Sequence, residues 1–194
     1  GMHVSKKSGE NIAGSPLNVI GVRPPFREYH LVELEPWKAE HLRRLFAENP
    51  AVTTYNGDCN EILPKSILPK VRYEDFRRAL CLLDPYGLHV AWEVILAAGQ
   101  LKTVDLLLNF PTMDMNMNVL KRNPALATSD QRARLTRYWG DESWRNAAYK
   151  AEDGLFGPIE EKSENEVVAE AFADRLRNVA GFEHVINPLP MRNS

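Results

Sequence analysis

Several features that mark other protein classes are scarce in this chain of 194 residues. It contains only two cysteines, Cys59 and Cys81, so a disulfide framework is not expected. No apolar run approaches the roughly 20 residues that a membrane-spanning helix needs, and no signal peptide is recognisable, which together predict a cytoplasmic protein. The formal net charge of −2 gives no overall field that would attract nucleic acid or a membrane surface.

The common catalytic and binding motifs are absent as well. The five histidines and two cysteines show no metal-ligand spacing, so no metal site is predicted. No Gly-x-Ser-x-Gly element indicates a serine hydrolase, and no GxxxxGK[ST] or GxGxxG loop indicates a phosphate site. What remains is a set of acidic residues at the ends of predicted strands.

The content of 44% hydrophobic and 26% charged residues is that of a soluble globular domain. Apolar runs bounded by prolines, glycines and polar turns predict strands at 29–34, 51–55, 80–83 and 103–110. Helical spacing predicts helices between them, at 36–49 and 88–99. This alternation predicts an α/β fold with a doubly wound, mostly parallel sheet, in which strand 80–83 is buried on both faces.

The segments before and after this alternation are predicted from turn residues and helix caps. Residues 3–14 and the glycine-containing stretch at 154–158 read as loops, while residues 15–22 fit either a short helix or a strand. Further helices are expected at 113–120, 129–139 and 141–150. The longest helix should start at a capping box formed by Ser163 and Glu166 and end at Gly181, followed by a final strand at 182–186.

Three acids lie at the carboxyl ends of three predicted strands: Glu33, Asp58 and Asp84. Ligands of open α/β sheets bind outside the carboxyl ends of the strands, so these side chains are candidates for a nucleoside-binding cleft. One acid could accept hydrogen bonds from ribose hydroxyls and another from an adenine amino group. The alternative for each acid is an ordinary cap of the helix that follows.

Asp84 opens the segment Asp84-Pro85-Tyr86-Gly87. An acid in this position can hold an amine while the neighbouring aromatic ring stacks on a planar substrate. Asn109, Phe110 and Pro111 follow the next strand and should lie beside this segment if the two strands are neighbours. A plain strand-to-helix turn remains the alternative.

Several segments, taken in order, resemble a known family. They are Ile12-Ala-Gly-Ser-Pro-Leu17, PPFREYHLVELEP (24–36), GDCNEIL (57–63), LLDPYGL (82–88), LLLNFP (106–111), RYWGDESWR (137–145) and PLPMRNS (188–194). The match runs from residue 9 to 194 and is similar to the three-Cys-motif partner family of class I S-adenosylmethionine-dependent methyltransferases. The resemblance implies a Rossmann-like methyltransferase fold in a single, N-terminally incomplete domain over residues 3–194, with a helical insertion at about 112–160.

The resemblance also implies roles for individual residues. Glu33 would bind the ribose of S-adenosylmethionine, and Asp58 with Cys59 would lie on the adenine side. Asp84, Pro85 and Tyr86 would correspond to the catalytic [DNS]PP[YF] tetrapeptide of amino-methyltransferases, although this chain carries one proline in place of two. The implied activity is methyl transfer to an amine, for instance of a nucleobase. The alternative is an interaction module that works with a partner protein.

One family element has no counterpart in this sequence. Related proteins carry a strand and a glycine-rich loop, of the form DxFAGxG, immediately before the region that begins this chain. That strand lies at the centre of the sheet, and the loop touches the methionine part of the cofactor. We therefore expect an unfilled place beside strand 29–34 or strand 80–83. Unpaired strand edges favour association, which predicts a homodimer.

Overall fold

A computed structural model describes residues 2–4, 11–154, 157–186 and 188 of the chain, with backbone alone for 2–4, 11–13, 152–154 and 157–159. Packing between Cα atoms divides the chain into two compact units, Gly1–Ile67 and Leu68–Ser194. Each unit combines helices with a pair of parallel strands, so the predicted α/β class is confirmed.

The first unit holds four strands and three α-helices among its described residues. They are β1 (Met2–Val4), β2 (Asn11–Ala13), α1 (Ser15–Gly21), β3 (Tyr29–Glu33), α2 (Pro36–Leu45), β4 (Val52–Asn56) and α3 (Cys59–Ile62), followed by a π-helical turn at Leu63–Ile67. β1 and β2 pair antiparallel within the segment predicted to be a loop, so that prediction is wrong. The open choice at residues 15–22 is resolved as a helix.

The parallel pair β3–β4 is the centre of this unit. Tyr29 lies opposite Val52, and the register runs on to Glu33 opposite Asn56. Between the two strands, α2 begins with proline at its first position, where a missing N–H costs no helical hydrogen bond. It buries Ala39 and packs on both strands, as a crossover helix does.

The second unit holds a parallel strand pair, a hairpin and five α-helices among its described residues. They are β5 (Ala79–Leu83), α4 (Trp92–Gln100), β6 (Val104–Leu108), α5 (Thr112–Asp114), α6 (Ser129–Trp139), α7 (Trp144–Ala148), β7 (Tyr149–Gly154), β8 (Gly157–Lys162) and α8 (Asn165–Arg175). Single turns of 3₁₀-helix occur at Leu68–Lys70, Tyr73–Asp75 and Pro124–Leu126. π-Helical turns extend α5 at Met115–Val119 and α8 at Leu176–Ala180.

β5 and β6 are paired in parallel, from Ala79 opposite Val104 to Leu83 opposite Leu108. On one face of this sheet Leu83 and Val104 are buried and their neighbours partly buried, but on the other face Leu80, Leu82 and Leu107 are 50%, 41% and 57% exposed. The prediction that strand 80–83 is buried on both faces is therefore wrong. A run of leucines is typical of a strand that has helices packed on both of its faces. In β5, no described element covers the face that carries Leu80 and Leu82.

The four parallel strands form two sheets of two strands each. In the described part of the chain, β3 pairs only with β4, and β5 pairs only with β6. Among the described residues, each of these four strands has one edge without a strand partner, so the unfilled place expected beside strand 29–34 or strand 80–83 stays a prediction. These two strand pairs do not establish a doubly wound sheet of the methyltransferase type, which stays a prediction.

Helix predictions in the second unit hold at 113–120 and 129–139, and the helix predicted at 88–99 begins only at Trp92. Thr128, directly before α6, forms the capping box of this helix with Gln131. The helix predicted at 141–150 is shorter, because Tyr149 already belongs to β7.

The last part of the chain departs further from expectation. The predicted loop at 154–158 is wrong at its described residues, because Gly154 ends β7 and Gly157 and Pro158 begin β8, so the segment 112–160 is not purely helical. Residues 155 and 156 lie outside the described residues. The capping box at Ser163 is wrong, since Glu164 precedes α8 and makes no side-chain cap. The final strand expected at 182–186 does not form. Residues 9 and 10, and all of 188–194 except Pro188, lie outside the described residues.

An aromatic cluster forms the core of the second unit. Phe172 of α8 lies at its centre, with ring centroids 5.0 to 5.8 Å from those of four neighbours: Trp92, Phe110, Tyr138 and Trp139. Gly140 ends α6 with φ at +99°, and a Cβ there would lie 2.5 Å from the Trp92 ring. Among the described residues, the helices are too short or too polar to cross a bilayer.

Candidate functional site at the ends of β5 and β6

Asp84 follows the last residue of β5, at the carboxyl end of the strand, as predicted. Its side chain is exposed. The Asn109 side-chain amide, at the same end of β6, donates a 2.8 Å hydrogen bond to Asp84 Oδ1. The other carboxylate oxygen, Oδ2, has no hydrogen-bond partner in the described part of the chain. The prediction that the two strand-end motifs lie beside each other is thus confirmed.

The pairing of the strands explains why these two side chains meet. Leu83 lies opposite Leu108, and the Asn109 backbone N–H donates a 2.9 Å hydrogen bond to the Leu83 carbonyl. The residues that follow Leu83 and Leu108 therefore leave the sheet side by side. This end of the sheet is where ligands of α/β proteins bind.

Tyr86 projects from the turn that follows Asp84. The side chain is 94% exposed, which leaves both faces of the ring open for a planar ligand. The ring of Pro85 restricts the backbone directly before Tyr86. Gly87, directly after it, has φ of +72°, which residues other than glycine rarely adopt. The turn therefore holds an acid and an aromatic ring at its surface, two residues apart.

A further acid, Asp114, holds the far end of this turn, and sequence reasoning missed it. Its Oδ2 atom accepts hydrogen bonds from the Leu88 backbone N–H at 3.0 Å and from Arg134 Nη2 at 2.9 Å. Asn118 donates to Oδ1 at 2.5 Å. No local pattern could have revealed these contacts, because Leu88 and Arg134 lie 26 and 20 positions from Asp114.

Phe110 follows Asn109 but has a structural role. Its ring contacts the aromatic cluster, with its centroid 5.0 Å from that of Phe172. Nearby, the Tyr138 hydroxyl is buried without a hydrogen-bond partner in the described part of the chain, and this burial raises the pKa of Tyr138 far above its ordinary value. Of the second motif, only Asn109 therefore reaches Asp84.

Glu33 ends β3 in the first unit. Its Oε1 atom accepts a 3.1 Å hydrogen bond from the Glu35 backbone N–H, just before α2. Its backbone carbonyl accepts hydrogen bonds from Gly57 N–H and from the Asn56 side chain. The carboxylate thus shapes the strand-to-helix turn, and Oε2 has no hydrogen-bond partner among the described residues.

Asp58 precedes α3 and acts as its N-cap. Its Oδ1 atom accepts 2.9 Å hydrogen bonds from both the backbone and side-chain nitrogens of Asn60. The capping alternative considered for this acid is therefore correct. Burial raises the pKa of the neighbouring Cys59 thiol, and the charge of Asp58 raises it further. The thiol is therefore protonated at neutral pH and is not an activated nucleophile.

The candidate residues fall into two groups. Asp84, Pro85 and Tyr86 lie in the second unit together with Asn109, whereas Glu33, Asp58 and Cys59 lie in the first. In the first unit, Glu33 is opposite Asn56, the last residue of β4, and Gly57 and Asp58 follow it directly. An arrangement of all three acids along one edge stays a prediction.

Other parts of the described surface do not add to this site. No group of three or more His, Cys, Asp or Glu side chains among the described residues is arranged to hold a metal ion. An open depression of about 540 Å³ along α6 is lined by Arg132, Thr136 and Arg137, among others. None of the predicted site residues lines it.

We compared the chain with protein-family models, with curated proteins and with solved structures, and none of them matches it. The similarity to three-Cys-motif partner proteins is thus an interpretation of the residues quoted above. The residues around Asp84 are therefore the basis for the proposed function.

Proposed function

We propose that this chain transfers a methyl group from S-adenosylmethionine to an amine. The observation that carries the proposal is the arrangement at the end of β5. Asn109 holds one oxygen of Asp84, the second oxygen is open, and the exposed ring of Tyr86 lies two residues on. An acceptor for an N–H group and a stacking surface are what a planar amine substrate needs.

Asp84 has the central role in this reaction. Its Oδ2 atom accepts a hydrogen bond from the substrate amine, which aligns the nitrogen lone pair for attack on the methyl carbon. The nitrogen–carbon bond forms as the carbon–sulfur bond breaks, and the proton released by the nitrogen passes to water. No strong base is required, since positioning alone can supply much of the acceleration of such a reaction.

Glu33, Asp58 and Cys59 are assigned to the cofactor, which supplies an electrophilic methyl group when bound. The open Oε2 atom of Glu33 suits a ribose hydroxyl, which is a hydrogen-bond donor. Asp58 and Cys59 are assigned to the adenine side by resemblance. Because Asp58 already caps α3, its capping bonds to Asn60 also fix the carboxylate for a ligand.

The test is methyl transfer from tritiated S-adenosylmethionine to single-stranded DNA and RNA oligonucleotides that contain all four bases. We expect Asp84→Ala to lower the rate roughly 100-fold, the scale associated with lost positioning. Asp105→Ala is the matched control, since Asp105 is an exposed acid near the start of β6, away from the strand end that carries Asp84 and Asn109. No transfer by the natural chain, or equal transfer by Asp84→Ala, would contradict the proposal.

A second candidate function is an interaction module, and the open face of the β5–β6 sheet favours it. Leu80, Leu82 and Leu107 expose an apolar surface, and β5 also has one edge without a strand partner among the described residues. We propose a second copy of this chain as the occupant, because identical exposed strand edges can pair with one another. Sedimentation should then show a dimer that Leu82→Lys converts to a monomer, while a monomeric natural chain would exclude it.

A further inference from the structure

The turn that carries Asp84 and Tyr86 is anchored at both of its ends. At the first end, the Leu83 carbonyl accepts a hydrogen bond from Asn109 N–H. At the second end, the Leu88 N–H donates to Asp114 Oδ2. Leu83 and Leu88 are themselves buried, at 7% and 3% exposure. Between them, four residues cross the surface without regular structure.

Asp114 is itself firmly held. Its side chain is 22% exposed, and three groups donate to it: Leu88 N–H, the Asn118 amide and the Arg134 guanidinium. Among the described residues, Arg134 makes no other hydrogen bond or ion pair, and its Nε atom is buried without a partner. Among the described residues, the Arg134 guanidinium therefore interacts with the Asp114 carboxylate alone.

The turn is fitted closely to Asp114. A Cβ at Gly87 would lie 2.6 Å from Asp114 Oδ2, closer than such atoms approach in proteins. Gly87 also has φ of +72°, so the position favours glycine for its conformation as well as for the space. The carboxylate thus occupies the room that a side chain would fill, directly against the backbone that follows Tyr86.

We propose that Asp114, oriented by Arg134, is a positioning residue for Asp84 and Tyr86 in the amine methylation proposed above, on which this inference rests. Asp114 touches no reacting atom. It fixes the backbone at Gly87 and Leu88, directly after Tyr86, and through it the placement of the ring and of the Asp84 carboxylate.

The variant Asp114→Asn tests this with little change in volume. The amide has only one acceptor oxygen, and its NH2 group would face the N–H donors of Arg134 or Asn118. The three hydrogen bonds that Asp114 accepts therefore cannot all form in the variant. We expect kcat for oligonucleotide methylation to fall about 100-fold, the scale of a misplacement near 1 Å. The Kd for S-adenosylhomocysteine should stay unchanged. Arg134→Lys, which keeps the charge, should restore part of the rate relative to Arg134→Gln.

A second readout does not depend on activity. Hydrogen exchange measured by mass spectrometry should show faster exchange in Asp114→Asn at residues 84–90 and unchanged exchange in α4. Arg137→Gln, one turn further along α6 and exposed, is the matched control and should leave both readouts unchanged.

The outcomes separate the two claims. If the natural chain methylates and Asp114→Asn does so equally well, or if exchange at 84–90 is unchanged, the positioning role is overturned. If the natural chain does not methylate although exchange at 84–90 responds to the variant, the proposed function fails. Asp114 then merely holds a turn, and its positioning role is overturned as well.

Discussion

Asn109 and Asp84, 25 residues apart in sequence, are joined by a 2.8 Å hydrogen bond between their side chains at the carboxyl ends of two paired strands. The bond leaves one oxygen of an exposed carboxylate open beside an exposed aromatic ring. An Asp that merely caps a helix would accept hydrogen bonds from the backbone of the next turn, and no backbone N–H among the described residues donates to Asp84.

This bond yields the first prediction. Asn109→Ala removes the donor that fixes Asp84 and should lower the rate of oligonucleotide methylation roughly 10-fold, because the carboxylate gains rotational freedom. Asn146→Ala, at an exposed position of α7, is the matched control. Initial rates with tritiated S-adenosylmethionine measure the effect, and equal rates for both variants would show that the bond has no part in the reaction.

The aromatic core gives a prediction about stability. Phe172 is 2% exposed and contacts four aromatic rings, so Phe172→Ala should lower the free energy of unfolding by about 3–5 kcal/mol. Phe76 is 97% exposed, and Phe76→Ala should change it by less than about 0.5 kcal/mol. Urea denaturation followed by circular dichroism measures both. Similar losses for the two variants would refute this account of the core.

Two helical glycines should respond in opposite directions to alanine. A Cβ at Gly99 in α4 would lie 2.3 Å from the backbone oxygen of Ala180, so Gly99→Ala should destabilise by about 1–3 kcal/mol through overpacking. Gly21, at the end of α1, has open space around it, and Gly21→Ala should stabilise by about 0.5–1 kcal/mol. Thermal melts compare them. A stabilising Gly99→Ala would mean that α4 and the turn Leu176–Ala180 are not packed as described.

Asp141 provides a pH-dependent prediction. Burial raises the pKa of Asp141, but hydrogen bonds with Ser143 and the 3.0 Å ion pair with Arg175 outweigh it, so the pKa lies below its ordinary value. A lowered folded-state pKa stabilises the protein above the ordinary pKa of Asp, and this contribution is lost as the pH falls through the folded value.

Asp141→Asn should therefore lower Tm at pH 7, and the difference should shrink as the pH falls below the ordinary pKa of Asp and through the folded-state pKa. Melting curves of the natural chain and of Asp141→Asn over this pH range measure the effect. A Tm difference that does not shrink as the pH falls would point to a cause other than the charge of Asp141.

The sequence was sufficient to predict the elements whose signals are local. The strands at 29–34 and 80–83, the helix that starts at Pro36 and the end of α6 at Gly140 all follow from turn residues and short apolar patterns. The contact between Asp84 and Asn109 could also be predicted, because parallel pairing brings consecutive strand ends together.

Features that depend on distant partners could not be predicted in the same way. The leucines of β5 suggested burial on both faces, but burial is decided by which layers cover the sheet, and Leu80 and Leu82 are exposed. The hairpin β7–β8 lacks a clear alternating pattern, and its glycines suggested a loop. Asp114 was missed because its partners Leu88 and Arg134 are far from it in sequence.

The most direct test of the central claim is a calorimetric titration of the chain with S-adenosylmethionine and S-adenosylhomocysteine. We predict that both bind, and that Glu33→Gln weakens their binding roughly 10-fold, equivalent to about 1.4 kcal/mol. Glu48→Gln, at an exposed position after α2 in the same unit, should leave the Kd unchanged. The absence of binding heat in the natural chain, or equal Kd values for the natural chain and Glu33→Gln, would contradict the account.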